Sequence, residues 1–218
     1  RDSAEAPRVE IGDFRTTGEY LTAGEPDELL FTLHNVSVTR AITDLTVRIA
    51  DASGEVLPQD ADTVWIDRLA AGESKACSIP VMTAQKATAQ PHTLELALSY
   101  SYADGKQQST SVKYTVDVRQ QVRFAYGEPQ LASRVTQGDT PTLSINLMNM
   151  GKSQLRNVLL SFDMPGLSSG GSLLAGTIEP GESKPVSANF RVAQDALGAI
   201  KGTLRIDYED AYGESHAV

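Results

Sequence analysis

One cysteine, Cys77, stands in the 218 residues, so no intrachain disulfide can staple this chain. Small secreted domains in oxidising compartments are commonly stapled. A chain without that device relies on packing, which suits the cytosol or a bacterial surface. Cys77 lies in the alternating stretch Ala76-Cys77-Ser78-Ile79, the setting of a packed thiol rather than a nucleophile. Histidine is scarce too: His34, His92 and His216 form neither a His-x-x-x-His nor a His-x-Glu pair of metal spacing. His34 follows Leu33 in an alternating run and is expected on the outer, solvated face of a strand.

Aromatic residues make up 6% of the chain, with Trp65 the one tryptophan, which leaves little for a stacking platform. Trp65, between Val64 and Ile66, reads as a core residue of a strand, with a sugar platform as the minor alternative. Basic clusters are missing. A net charge of −9 and a pI near 4.8 repel phosphate backbones, so no nucleic-acid partner is expected. No apolar run approaches the roughly 20 residues of a membrane span, so no membrane contact is expected within the chain. An anchor outside it stays open. The start Arg1-Asp2-Ser3, with neither Met nor signal peptide, reads as a cleaved precursor or an excised piece.

Catalytic motifs are also missing: no Gly-x-Ser-x-Gly elbow, phosphate loop or dinucleotide fingerprint occurs. The stretch Gly166-Leu167-Ser168-Ser169-Gly170-Gly171 is glycine-rich but carries no Lys and precedes no helical pattern, so it reads as a loop. The expectation is a non-enzyme without cofactor. Asp60, Asp62 and Asp67, with Asp51 within reach, form the best acidic cluster, expected as a solvated loop with calcium as the alternative.

What the chain does contain is a repeat, at a spacing of about 110 residues. Leu30 to Val36 matches Ser144 to Met150 when Asn35 is laid on Asn149. Leu69-Ala70-Ala71-Gly72-Glu73-Ser74-Lys75 matches Ile178-Glu179-Pro180-Gly181-Glu182-Ser183-Lys184, with Gly-Glu-Ser-Lys identical. Leu96, Leu98 and Tyr100 match Leu204, Ile206 and Tyr208, and Gly105 matches Gly213. Asn35, Asn149, Gly72, Gly181, Gly105 and Gly213 are therefore read as structural turn positions. Asn35-Val36-Ser37 also fits the glycosylation pattern, but Asn149 lacks the Ser, which supports the turn role.

Within each copy the apolar period is 2, as in Leu29, Phe31, Leu33 and in Leu143, Ile145, Leu147. Such alternation marks strands with one face on a core and one in water. Ala84 to Ala89 and Ala193 to Leu197 could each form a turn of helix. Turn signals such as Asp104-Gly105 separate about seven short strands per copy. The expected fold is all-β: two tandem immunoglobulin-like Greek-key β-sandwiches, residues 1–119 and 120–218, with a closed barrel as the rival. The link Arg119-Gln120-Gln121 lacks Gly, Pro and Ser and reads as semi-rigid. The first copy runs thirteen residues past Gly105 to Val118, the second only five past Gly213. The second sandwich is therefore expected to lack most of its last strand, expose an edge, and continue beyond Val218.

These motifs resemble bacterial and archaeal cell-surface repeats of the type called cell-adhesion-related domains found in bacteria. They are similar also to S-layer-associated and alpha-galactosidase-associated sandwich modules. The carrying residues are Leu33-His34-Asn35, Leu147-Met148-Asn149-Met150-Gly151, Ala71-Gly72-Glu73-Ser74 and Pro180-Gly181-Glu182-Ser183. The first copy departs at Val36-Ser37 and Ala71. The resemblance implies an extracellular or cell-envelope location, secreted or surface-anchored, and transfers no catalytic residue. It implies a structural or adhesive module, a spacer, stalk or protein-binding surface meeting protein or cell-surface components through edge strands or loops. The alternative is a carbohydrate-binding or accessory module of a larger secreted enzyme, for which Tyr20, Tyr102, Tyr126 and Tyr212 are the loose aromatic candidates.

Overall fold

The computed structural model describes residues 5–168 and 171–218, so Ser169 and Gly170 of the glycine-rich loop lie outside the described residues. The chain is all-β. Among the described residues there is no helix, and the sheets remain open rather than closing into a barrel. The chain divides into two compact units, Arg1–Gln120 and Gln121–Val218.

The first unit contains β1 (Val9–Thr16), β2 (Leu21–Thr22), β3 (Pro26–Asn35), β4 (Ile42–Asp51), β5 (Val56–Pro58), β6 (Thr63–Leu69), β7 (Ser74–Thr83), β8 (His92–Tyr102), β9 (Lys106–Val116) and β10 (Val118–Arg119). One sheet runs β1-β3-β7-β5 and the other β6-β4-β8-β9. The short β10 lies parallel to β2, and all other pairs in this unit are antiparallel. Consecutive strands β3 and β4 belong to different sheets, as do β7 and β8, so the connections cross the sandwich.

The period of 2 decides which residues form the core. Along β3, Leu29, Phe31 and Leu33 are buried while their neighbours are not. They meet Leu45, Val47 and Ile49 of β4 and Leu94, Leu96 and Leu98 of β8 in one cluster. The same parity carries Asn35, the next odd position, into the interior.

The second unit contains β11 (Phe124–Tyr126), β12 (Thr142–Asn149), β13 (Leu155–Asp163), β14 (Leu167–Ser168), β15 (Leu173–Ile178), β16 (Ser183–Asn189), β17 (Arg191–Val192), β18 (Thr203–Glu209) and β19 (Ser215–Ala217). Its sheets run β11-β12-β16 and β15-β13-β18-β19, with β14 paired to β17. Ile145, Leu147, Leu155, Val158, Leu160, Ile178, Ile206 and Tyr208 form its core. A last strand is present but short, three residues against eleven in β9. Its ladder reaches Ile206, which exchanges both backbone hydrogen bonds with Val218.

Both units bend the strand after the asparagine in the same way. The β4 register slips between Thr43 and Thr46 with Asp44 at φ 50°, and the β13 register slips between Arg156 and Leu159 with Asn157 at φ 51°. Asp and Asn are the non-glycine residues that tolerate this left-handed conformation best. Ala84–Ala87 and Ala193–Ala196 each close a single turn through one backbone bond, and neither becomes a helix.

Candidate functional site

The matched asparagines are the most completely buried polar side chains of their units, Asn35 at 0% and Asn149 at 1% exposure. Each ends a strand of one sheet and reaches into the other. The Asn35 amide donates to the Arg40 carbonyl at 2.8 Å and to those of Leu69 and Ala70, at the end of β6, at 3.3 and 3.1 Å. The Asn149 amide donates to Ser153 at 2.8 Å and to Ile178, the end of β15, at 2.9 Å. Their Oδ1 atoms accept from the amides of Ser37 and Gly151 respectively. The turn role expected from sequence is thus present, together with a link between sheets that sequence did not disclose. The glycosylation pattern at Asn35 falls on a nitrogen already buried and bonded.

The Gly-Glu-Ser-Lys identity is the other half of this joint. Gly72 (φ 72°) and Gly181 (φ 77°) occupy the left-handed corner of a tight turn, and their amides donate to the carbonyls of Asn35 and Asn149. The following glutamates fold back so that Glu73 and Glu182 accept from the amides of Ala70 and Glu179 at 2.6 and 2.8 Å. Gly105 and Gly213 likewise sit at positive φ, 81° and 86°, in the β8–β9 and β18–β19 hairpins.

Two polar clusters lie outside this frame. In the first unit, Asp51 and His92 are both buried in side chain, with His92 Nδ1 3.3 Å from Asp51 Oδ2. His92 Nε2 lies 3.0 Å from the Thr88 carbonyl and 3.3 Å from Glu55 Oε2. Asp51 also accepts from the Ser53 hydroxyl at 2.7 Å and the Val56 amide at 2.9 Å. Burial pushes the Asp51 carboxyl up, but these donors, Ser53 first, outweigh it and hold it below the usual carboxylate value. The exposed Ser53 hydroxyl donates to this carboxylate and lies 3.2 Å from His92 Nδ1, so the three side chains brace the Asp51–Val56 turn.

In the second unit, Asp210, Glu214 and His216 bring one ligand atom each within 4.8 Å of one another. Among the described residues this is the one group of three or more His, Cys, Asp or Glu that could hold a metal ion. In place of a His-x-Glu pair the chain carries the reverse order, Glu214-Ser215-His216, with Asp210 across the hairpin.

The acidic candidates of the sequence are placed differently. Asp62 pairs with Arg48 at 2.7 Å, and bonds from Thr63 and Arg48 keep its carboxyl below the usual range. Asp60 and Asp67 are exposed, and Asp51 is committed to Ser53, Val56 and His92 instead of approaching them. His34 is half-buried on its strand's outer side, 2.8 Å from the Ser74 hydroxyl. Burial raises the Cys77 thiol pKa, against a small opposing effect of Lys75.

Trp65 corrects the sequence reading. It is 60% exposed rather than in the core. Ile66 is buried and Val64 half-buried on the inner side of β6, so the residue between them must face outward. Trp65 stands opposite Thr46 in the ladder, which stands opposite Ser99, which stands opposite Ser109. Beside this row is a shallow depression lined by Thr46, Arg48, Ala97, Ser99, Ser109 and Ser111. The loose tyrosines are scattered: Tyr126 is 53% exposed, and Tyr20 lies under the Arg119 guanidinium, 4.1 Å from its ring centre.

No helix among the described residues is long and apolar enough to cross a membrane. No protein-family model and no curated protein matches the chain. Among solved structures, red sea bream transglutaminase is similar over 98% of this chain and 31% of that one, at 10% identity and a TM-score of 0.34. The chain thus spans about a third of that protein's length. A likeness this slight bears on nothing chemical.

Proposed function

We propose that this chain is a non-catalytic structural or adhesive module of a secreted or cell-surface protein, of the bacterial surface-repeat kind its motifs resemble, acting as a spacer or protein-binding surface. One observation carries the reading. The polar residues that the two copies share, Asn35 with Gly72-Glu73 and Asn149 with Gly181-Glu182, spend their hydrogen bonds joining sheet to sheet and closing turns. At these matched positions the two units hold a mechanical joint, in which even the glutamate carboxylates are spent on backbone amides. Such a joint suits a chain whose work is to hold a shape between or toward other things.

Trp65 favours a second reading, a saccharide-binding module. A sugar presents an apolar C–H face and a polar rim, and an exposed indole beside Thr46, Ser99 and Arg48 offers a match to both.

The test immobilises the purified chain and offers it cell surfaces, a glycan array, and ester, glycoside and peptide substrates. Binding without turnover supports a module. Glycan retention that disappears in Trp65→Ala selects the second reading. Turnover that is lost on changing one side chain of this chain overturns both.

A further inference from the structure

The β18–β19 hairpin carries a side-chain arrangement that the frame does not require. Its counterpart in the first unit, aligned on Gly105 and Gly213, has Tyr102, Lys106 and Gln108 where this one has Asp210, Glu214 and His216. The first hairpin forms a longer ladder without any of the three. A hairpin at this place can therefore form without them, although Asp210 also closes its own turn.

Two of the three side chains are held in place before any ligand arrives. Asp210 is 2% exposed, and its Oδ1 accepts the amides of Tyr212 at 2.9 Å and Glu214 at 3.0 Å, which leaves Oδ2 to face His216 across the hairpin. His216 lies flat on Tyr208, ring centres 5.1 Å apart and planes 17° from parallel, with Nε2 2.9 Å from Asp210 Oδ2. Carboxylate and imidazole fixed by outer partners are what a metal site asks of its ligands. Glu214, exposed and one residue before the start of β19, completes the set.

We propose that Asp210, Glu214 and His216 form a binding site for a divalent transition-metal ion of the zinc type. An imidazole nitrogen with two carboxylate oxygens matches the nitrogen–oxygen preference of such ions and not the all-oxygen shell of calcium. At zinc–ligand distances of about 2.0–2.2 Å, tetrahedral ligands stand roughly 3.4 Å apart. The 2.9 Å separation of Asp210 and His216 opens slightly, and the Glu214 carboxylate, whose ligand atom lies within 4.8 Å of both, draws in. The metal takes the place of the Nε2 proton, which leaves to solvent or, in a neutral ring, is carried on Nδ1 instead. The imidazole thus binds uncharged, and at least one coordination position is left to water. The ion ties β19, a strand of three residues, to the end of β18.

The experiment titrates the metal-stripped chain with zinc chloride by calorimetry and with cobalt chloride by visible absorption. One saturable equivalent is expected, with the intense cobalt bands of a four-coordinate site. In NMR spectra of the same titration, the imidazole signals of His216 move while those of His34 and His92 stay. His216→Gln retains a donor toward Asp210 and should fold, yet lose saturable binding; Glu214→Gln should weaken it without altering the hairpin. Absence of saturable zinc binding by the native chain overturns the proposal. So does binding that survives His216→Gln, or that disappears instead with His34→Gln or Cys77→Ser.

Discussion

The side-chain amide of Asn149 donates to the carbonyl of Ile178 at 2.9 Å, fastening the end of β12 to the end of β15 in the opposite sheet. Asn35 makes the same link to Leu69 in the first unit. The Leu69 and Ile178 carbonyls that receive these amides are buried, and an unsatisfied buried acceptor costs about 1–3 kcal/mol. One asparagine per unit answers that cost for two or three carbonyls at once. Asn149→Ala leaves the carbonyls of Ser153 and Ile178 unanswered, and unfolding free energy should fall by about 2–4 kcal/mol. Urea titration followed by circular dichroism measures it. A loss below ~0.5 kcal/mol would mean that water replaces the amide freely.

The tight turns fix the angle at which the joint is presented. A Cβ added at Gly72 or Gly181 meets no atom within 4 Å, so Ala at either position suffers from backbone conformation alone. Placing an L-residue at this positive φ costs roughly 1–2 kcal/mol. Gly72→Ala and Gly181→Ala should each fall in that range. The substitution Gly54→Ala, also at positive φ with open space around it, serves as the comparison.

Acid should weaken the first unit through Asp51. Its folded carboxyl titrates below the ordinary value, so its contribution is complete above the unfolded carboxylate pKa of about 3.9. That contribution is lost as pH falls through the lower, folded value. Asp51→Asn should be less stable than the native chain at neutral pH and should lose less on acidification. Chemical denaturation at a series of pH values reads both slopes; parallel curves would remove Asp51 from the account.

Trp65 predicts an unusual result for a lone tryptophan in a folded protein. Its exposure of 60% makes Trp65→Ala nearly neutral for stability, within about 0.5 kcal/mol. Leu147→Ala, at a position that is 0% exposed, should cost about 2–5 kcal/mol. Fluorescence of the native chain should resemble free tryptophan and be quenched readily by acrylamide.

Local rules made the frame legible in the sequence, and their limits explain the rest. Parity along a strand gives the burial of Leu29, Phe31 and Leu33, and it also required Asn35 to point inward. The same parity applied to Val64 and Ile66 places Trp65 outside, against the hydrophobicity of its indole. β19 is short, with Ser215, His216 and Ala217 in ladder pairs and Val218 bonded to Ile206 beyond them. Asp51 and His92 are 41 positions apart and meet only because β4 and β8 are adjacent. Asp210 and His216 are near in sequence, but their approach depends on the hairpin turn. Contacts of that kind belong to topology, and no spacing rule announces them.

The central claim is that the residues shared by the two copies build the sandwiches and do no chemistry. Hydrogen exchange of the asparagine side-chain amides, resolved by NMR, tests it most directly. Asn35 and Asn149 should give two pairs of side-chain amide signals, far from the random-coil position and exchanging orders of magnitude more slowly than those of the exposed Asn189. Exchange of all three at one fast rate would contradict the claim, because the amides would then be free to meet solvent or a ligand.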